Sequence, residues 1–228
     1  MVFVAGLFGI VAGWVITLAS DWLPRFSQER VDVKKTKNHQ PAFWQVFVKG
    51  ERPVWWKLHL GTEILTGLVV AVAFSQYGNA SDFWFLLTEV IVFILIAVID
   101  AKYRLILNVI TYPSLGIFFL ADIFLLRQSP LHVILGASLA FSIFYLTAVL
   151  KPGELGFGDV KLATVIGITF GFPSVLWAFL LGAGAGGIVA IYLLIKRRAG
   201  LKTTIPYAPF LCFGAVVFIL IRPLFGTA

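Results

Sequence analysis

Two aspartates stand where apolar stretches end and begin. Asp100 closes one, and Asp159 opens another directly behind Gly156-Phe157-Gly158. A carboxylate beside a lipid-length helix is costly to keep, so each marks a functional hypothesis, and the pair suggests one shared site. Two carboxylates held close in a poor dielectric cannot both ionise at neutral pH, so one proton is shared. The ionised partner can then take a proton from water while the protonated one polarises a carbonyl. Hydrolysis of a peptide bond needs that acid and base, and it needs neither a metal nor a covalent intermediate. Gly156 and Gly158 suit such a site because glycine lets a substrate strand approach the backbone closely. Asp159 begins a helix, where the dipole favours its charged form, and Asp100 ends one, where it does not. Asp159 is therefore expected to be the more acidic, with Lys102 and Lys161 as neighbouring cations.

The same residues admit other chemistry. Intramembrane acids also serve as proton or ion relays, and two acids at helix ends can be ordinary interfacial groups. A proton-coupled transporter is the alternative from another class. It predicts inverted repeats and broken helices in both halves, and no internal repeat is evident.

The other acids and histidines are assigned lesser parts. Glu89 precedes Asp100 by 11 residues, about 16 Å along one helix face. That is too far for direct chemistry, and Glu89 is expected to face the bundle and find a polar partner. Glu63 lies near the cytoplasmic end of the second span. Asp82 and Asp122 are expected near the outer face and wetted, and Glu154 is given no role. His39, His59 and His132 are scattered, and neither they nor the lone Cys212 have metal-ligand spacing.

The elements that position these groups follow from composition. The 228 residues are 60% hydrophobic and 13% charged, with mean hydropathy +0.95. A soluble domain carries about a quarter charged residues, so this reads as a membrane protein. An all-α, polytopic transmembrane helical bundle is expected, because open sheet edges do not survive in lipid. Apolar runs place about eight spans near Val2–Leu23, Leu60–Gln76, Phe83–Ile99, Val109–Leu126, Leu131–Leu150, Val160–Phe172, Ser174–Ile195 and Pro209–Phe225. The sixth is short. The first lacks a basic leader and a small-residue cleavage site, so it reads as an uncleaved span. Gly182, Gly184, Gly186 and Gly187 are expected to permit close helix packing.

Sixteen of the 18 Lys and Arg residues fall in connections on one side, leaving Arg127 and Arg222 for the other. The positive-inside rule puts the sixteen in the cytoplasm, the N-terminus outside, and both Asp100 and Asp159 at the cytoplasmic edge. The +7 net charge is thereby mostly topogenic, and no nucleic-acid partner is expected. The long connection Arg25–Leu58 is basic, then aromatic (Phe43, Trp44, Phe47, Trp55, Trp56), as in segments anchored at lipid headgroups.

Leu155-Gly156-Phe157-Gly158-Asp159-Val160-Lys161-Leu162 resembles the Gly-x-Gly-Asp-x-Lys-Leu signature of the type IV prepilin peptidases. Asp100 followed by Leu105-Ile106-Leu107-Asn108-Val109-Ile110-Thr111-Tyr112-Pro113 is similar to that family's first aspartate segment, with Leu107 where proline is common. Ile205-Pro206-Tyr207-Ala208-Pro209-Phe210-Leu211 resembles its Ile-Pro-Phe-Gly-Pro-Phe-Leu. Glu63-Ile64-Leu65-Thr66-Gly67-Leu68 resembles its Glu-Leu-Leu-Thr-Gly-Leu. The run from Gly13 to Leu23-Pro24-Arg25 is similar to its first helix, with Thr17 for asparagine and Trp22 for arginine.

The resemblance implies an endopeptidase of the bacterial cytoplasmic (inner) membrane that removes the leader of a prepilin or pseudopilin at the cytoplasmic face. Asp100 and Asp159 would be catalytic. Gly156, Gly158 and Lys161 would be motif residues of the site, and Pro206 and Pro209 would border it. It divides the chain into residues 1–82, two spans and a basic loop, and a peptidase domain over 83–228. Cleavage would need no cofactor. Many members also methylate the new N-terminus with S-adenosylmethionine, and Glu63 lies in the region associated with that transfer. Bifunctional members often carry paired Cys-x-x-Cys motifs in the first loop, which has no cysteine here. The matching Glu63 segment and first-helix ending lean toward methyl transfer being retained.

Overall fold

The computed structural model describes residues 1–26, 56–78, 81–151, 155–195 and 206–225. The basic and aromatic part of the first loop, Glu154, the cluster Lys196 to Lys202, and the side chain of Asp82 lie outside the described residues.

Every regular element among the described residues is helical: α1 (Val2–Phe26), α2 (Trp56–Tyr77), α3 (Ser81–Tyr103), α4 (Asn108–Phe124), α5 (Pro130–Leu150), α6 (Phe157–Phe170), α7 (Val175–Ile195) and α8 (Ala208–Ile221), with a 3-10 turn at Arg222–Phe225. Helices satisfy their own backbone groups, which lipid cannot do. Hydroxyls inside them bond back to carbonyls of the preceding turn, Thr66 to Thr62, Thr111 to Leu107 and Thr164 to Val160. These hydroxyls thereby keep their donors paired within the helix.

The expected helices are present, but they do not all have bilayer length. Five are long and apolar enough to cross a membrane: Val2–Pro24, His59–Tyr77, Phe83–Tyr103, Pro130–Leu150 and Val175–Tyr192. Asn108–Phe124 and Ala208–Ile221 are shorter apolar helices. The 14 residues of α6 extend only about 21 Å, short of a hydrocarbon core about 30 Å thick. This shortness is tolerable because α6 is enclosed by protein. Val160, Leu162, Ala163, Val165, Ile166, Ile168 and Phe170 are all buried.

Packing follows from that enclosure. α6 lies against α4, α5, α7 and α8, while α3 lies against α1, α2, α4 and α8. One apolar core joins Phe93 and Ile96 of α3, Phe118 of α4, Val165 and Ile166 of α6, and Ala215 and Phe218 of α8. The outward faces are apolar too, with Leu146 and Leu150 of α5 and Leu180 and Ile188 of α7 among the exposed side chains. Such a surface suits lipid and would be a large sticky patch in water. α5 crosses α6 at backbone contact. A Cβ at Gly136 would collide with the Gly167 carbonyl oxygen, and one at Gly167 with the Gly136 carbonyl oxygen. Of the four α7 glycines, Gly182 meets the Phe210 backbone closely and Gly186 makes ordinary contact with the Phe210 ring. Gly184 and Gly187 face open space, so their expected packing role does not hold.

Candidate active site

Asp100 lies in the last turn of α3. That helix ends because Arg104 adopts a left-handed conformation (φ 55), and the Arg104 N–H closes on the Asp100 carbonyl oxygen at 2.8 Å. This is the helix ending that glycine usually provides. Asp159 lies in the first turn of α6. Its Oδ2 accepts the Gly156 N–H at 3.2 Å, while its own N–H donates to the Gly156 oxygen at 3.0 Å. A carboxylate three residues into a helix thus ties down the chain that enters it.

The connection between α3 and α4 brings the two ends together. A Cβ at Gly158 would come within 2.9 Å of the Ile106 Cβ, so this connection presses directly on the glycine. Lys161 donates to Asn108 Oδ1 at 2.6 Å, and its ammonium lies 4.6 Å from the centre of the Tyr112 ring. The start of α6 is therefore fastened to the start of α4, just beyond Asp100. The Asp100 and Asp159 carboxylates interact electrostatically, and the Cys212 thiol of α8 feels both. Asp100 is 6% exposed, and its Oδ2 has no hydrogen-bond partner among the described residues. Asp159 is half-buried and precedes the apolar run that begins at Val160. Burial raises its pKa, and the Gly156 N–H opposes that rise.

The neighbouring cations differ from expectation. Lys102 does not attend the pair. Its buried ammonium donates to Asp21 Oδ1 at 2.8 Å and to Ser20 Oγ at 2.7 Å, on α1. Tyr103 Oη adds a bond to Asp21 Oδ1 at 3.4 Å, and His59 Nε2 lies 4.0 Å from Asp21 Oδ2. Lys161 is held by Asn108, and Arg104 is the cation that acts on Asp100.

Pro206 and Pro209 stand at the start of α8, and Pro209 is one turn before Cys212. Glu63 is half-buried with its Cα against Gly13 of α1, where an added Cβ would come within 2.7 Å. Asp122 is not wetted. It is 0% exposed, and Gln128 donates to its Oδ1 at 3.0 Å. Glu89 faces the bundle as expected, and the Thr169 hydroxyl is the polar group set against its carboxylate.

Sequence reasoning did not find Asp21, Asn108 as the partner of Lys161, or Cys212 beside the pair. The first had a signal. Asp21 and Lys102 are opposite charges at the ends of two spans assigned to the same membrane side. The other two depend on rotation about helix axes, which spacing does not report.

Residues 87–191 match the model of the type IV leader peptidase family. The chain is 27% identical over 165 residues to a prepilin leader peptidase/N-methyltransferase of Bacillus subtilis, covering 70% of this chain and 64% of that protein. It is 29% identical over 129 residues to the protein of the same name in Pseudomonas aeruginosa, covering 54% and 44%. A third of that name, from Pseudomonas putida, is 23% identical over 163 residues, covering 69% and 57%. The aligned parts thus span less than two thirds of each relative. No solved structure matches the chain.

Proposed function

We propose, since residues 87–191 match the model of the type IV leader peptidase family, that the chain is a multi-pass membrane endopeptidase that cleaves the leader from a prepilin or pseudopilin. The observation that carries the reading is that Asp100, at the end of α3, and Asp159, at the start of α6, lie close enough to interact electrostatically. Cleavage is assigned to residues 83–228. Residues 1–82 support them through the packing of α1 and α2 on α3. The inner membrane is the proposed location, with membrane lipids around the apolar faces. The comparisons give the transporter alternative no support.

The mechanism follows from one shared proton. The ionised carboxylate removes a proton from a water held between the pair. The hydroxide adds to the scissile carbonyl carbon while the protonated carboxyl donates to its oxygen. The tetrahedral gem-diol collapses when one carboxyl passes its proton to the amine nitrogen, the ionised carboxylate takes a proton back from a gem-diol hydroxyl, and the C–N bond breaks as the carbonyl re-forms. One proton remains on the pair at the end, as at the start. Gly156 and Gly158 leave room for the substrate strand. Lys161 acts as a positioning residue, fixing α6 against Asn108.

A second reading adds N-methylation, since all three relatives are named as N-methyltransferases as well as leader peptidases. S-adenosylmethionine would supply the methyl group. At the Glu63 segment, Thr62 and Thr66 direct their hydroxyls to carbonyls of their own helix, and Gly13 closes over the Glu63 backbone. These described residues form no cradle for a nucleoside.

Co-expression with a pilin and mass spectrometry of the product tests both readings. A mature chain shortened by its leader is expected, and an intact precursor would reject the peptidase. A labelled methyl donor should leave label on the mature N-terminus if transfer is retained, and clean cleavage without label rejects it.

A further inference from the structure

The end of the bundle away from the aspartate pair holds a second polar cluster that the cleavage chemistry leaves unused. Glu89 of α3 and Asp122 of α4 are each 0% exposed, and Thr169 near the end of α6 is 1% exposed. Glu89 Oε1 and Oε2, Asp122 Oδ2 and Thr169 Oγ1 are buried, and apart from a loose approach of the Thr169 hydroxyl to Glu89 none meets a hydrogen-bonding group among the described residues. The two carboxylates interact electrostatically, and the Thr169 hydroxyl faces Glu89. Gln128 locks the arrangement by donating to Asp122 Oδ1 at 3.0 Å and to the Thr169 carbonyl oxygen at 3.3 Å. That leaves Asp122 Oδ2 outside the bond to the amide.

Buried carboxylates must be neutralised or paired. Arg222 acts on both acids but makes no hydrogen bond to either Glu89 oxygen. Tyr77, the other ionisable neighbour, donates its hydroxyl to the Ile219 carbonyl oxygen at 2.8 Å. Among the described residues two carboxylates face one guanidinium, so one positive charge is left to be supplied, by a proton or by a bound cation. The unpartnered atoms are all oxygens, three of them carboxylate, which is a donor set for a hard cation. A divalent ion would over-neutralise the cluster and would want six or more oxygens.

We propose that Glu89, Asp122 and Thr169 hold one monovalent hard cation of sodium size, which staples α3, α4 and α6 at the end opposite the aspartate pair.

The test uses the purified full chain in detergent, unfolded thermally in sodium, potassium or choline chloride at equal ionic strength and pH 8. Sodium should raise Tm saturably over choline, by roughly 5 °C at about a hundredfold excess over its Kd, with potassium less effective. Thr169→Val keeps the side-chain shape and removes one ligand, so it should weaken the sodium midpoint about tenfold or more. Glu89→Gln should abolish the response. If Glu89→Gln fails to fold, the wild-type titration and Thr169→Val still decide. Equal Tm in all three salts would mean a shared proton and overturn the proposal, and so would an unchanged sodium midpoint in Thr169→Val. Cleavage is not part of the readout, so the outcome is independent of the peptidase reading.

Discussion

A buried charge in this molecule is informative about its partners. The Lys102 side chain is 1% exposed and that of Asp21 13%, so their 2.8 Å contact joins α1 to α3 two residues beyond Asp100 in a largely dry setting. Breaking such a pair on one side strands the other charge, at about 3–5 kcal/mol, whereas replacing both with apolar groups is often neutral. We predict that Asp21→Leu lowers Tm sharply and that Asp21→Leu with Lys102→Met recovers most of the loss. Equal destabilisation by the single and double variants would show that the pair does not stabilise the fold. At this scale the sequence was legible where motif and chemistry coincided: Asp100, Asp159, Gly158 and Lys161 were all singled out. It misled where a residue's height in the bilayer was taken for its wetness. Asp122 sits near a helix end, yet it faces inward to Gln128, because depth along an axis does not give rotation about it.

The helices act through what they press together. α6 is short, enclosed, and positioned by two contacts: Gly136 against Gly167 along its length, and Ile106 against Gly158 at its start. We predict that Gly167→Leu destabilises by at least about 1–3 kcal/mol, because the facing element is backbone and cannot rotate away. Gly184→Ala, which meets open space, should leave Tm nearly unchanged. Gly158→Ala should fold but lose most cleavage, since the Ile106 side chain must shift where α6 meets the α3–α4 connection. Full cleavage by that variant would remove the close approach from the account. The helix inventory was readable from apolar runs alone. The shortness of α6 was readable as well, but not its enclosure, which depends on which neighbours surround it.

The described residues form an apolar bundle with polar groups gathered toward two ends, and the charge asymmetry of the sequence predicts its orientation. We predict that a cysteine at Lys34 labels from the cytoplasm and one at Arg127, an exposed position, labels from outside. Native Cys212, buried at 1% exposure, should stay silent. Labelling of Lys34→Cys from outside would invert the map and move the aspartate pair to the wrong face for its proposed substrate. Cleavage should survive EDTA, since a carboxylate pair sharing a proton activates water without a metal, and loss of cleavage on chelation would reject that chemistry. The central claim is that Asp100 and Asp159 each perform one half of the acid–base work. The most direct measurement is cleavage of a prepilin by purified Asp100→Asn and Asp159→Asn, each shown by thermal unfolding to be folded. We predict a loss of at least about a hundredfold for each. Processing at near wild-type rate by either variant would contradict the account.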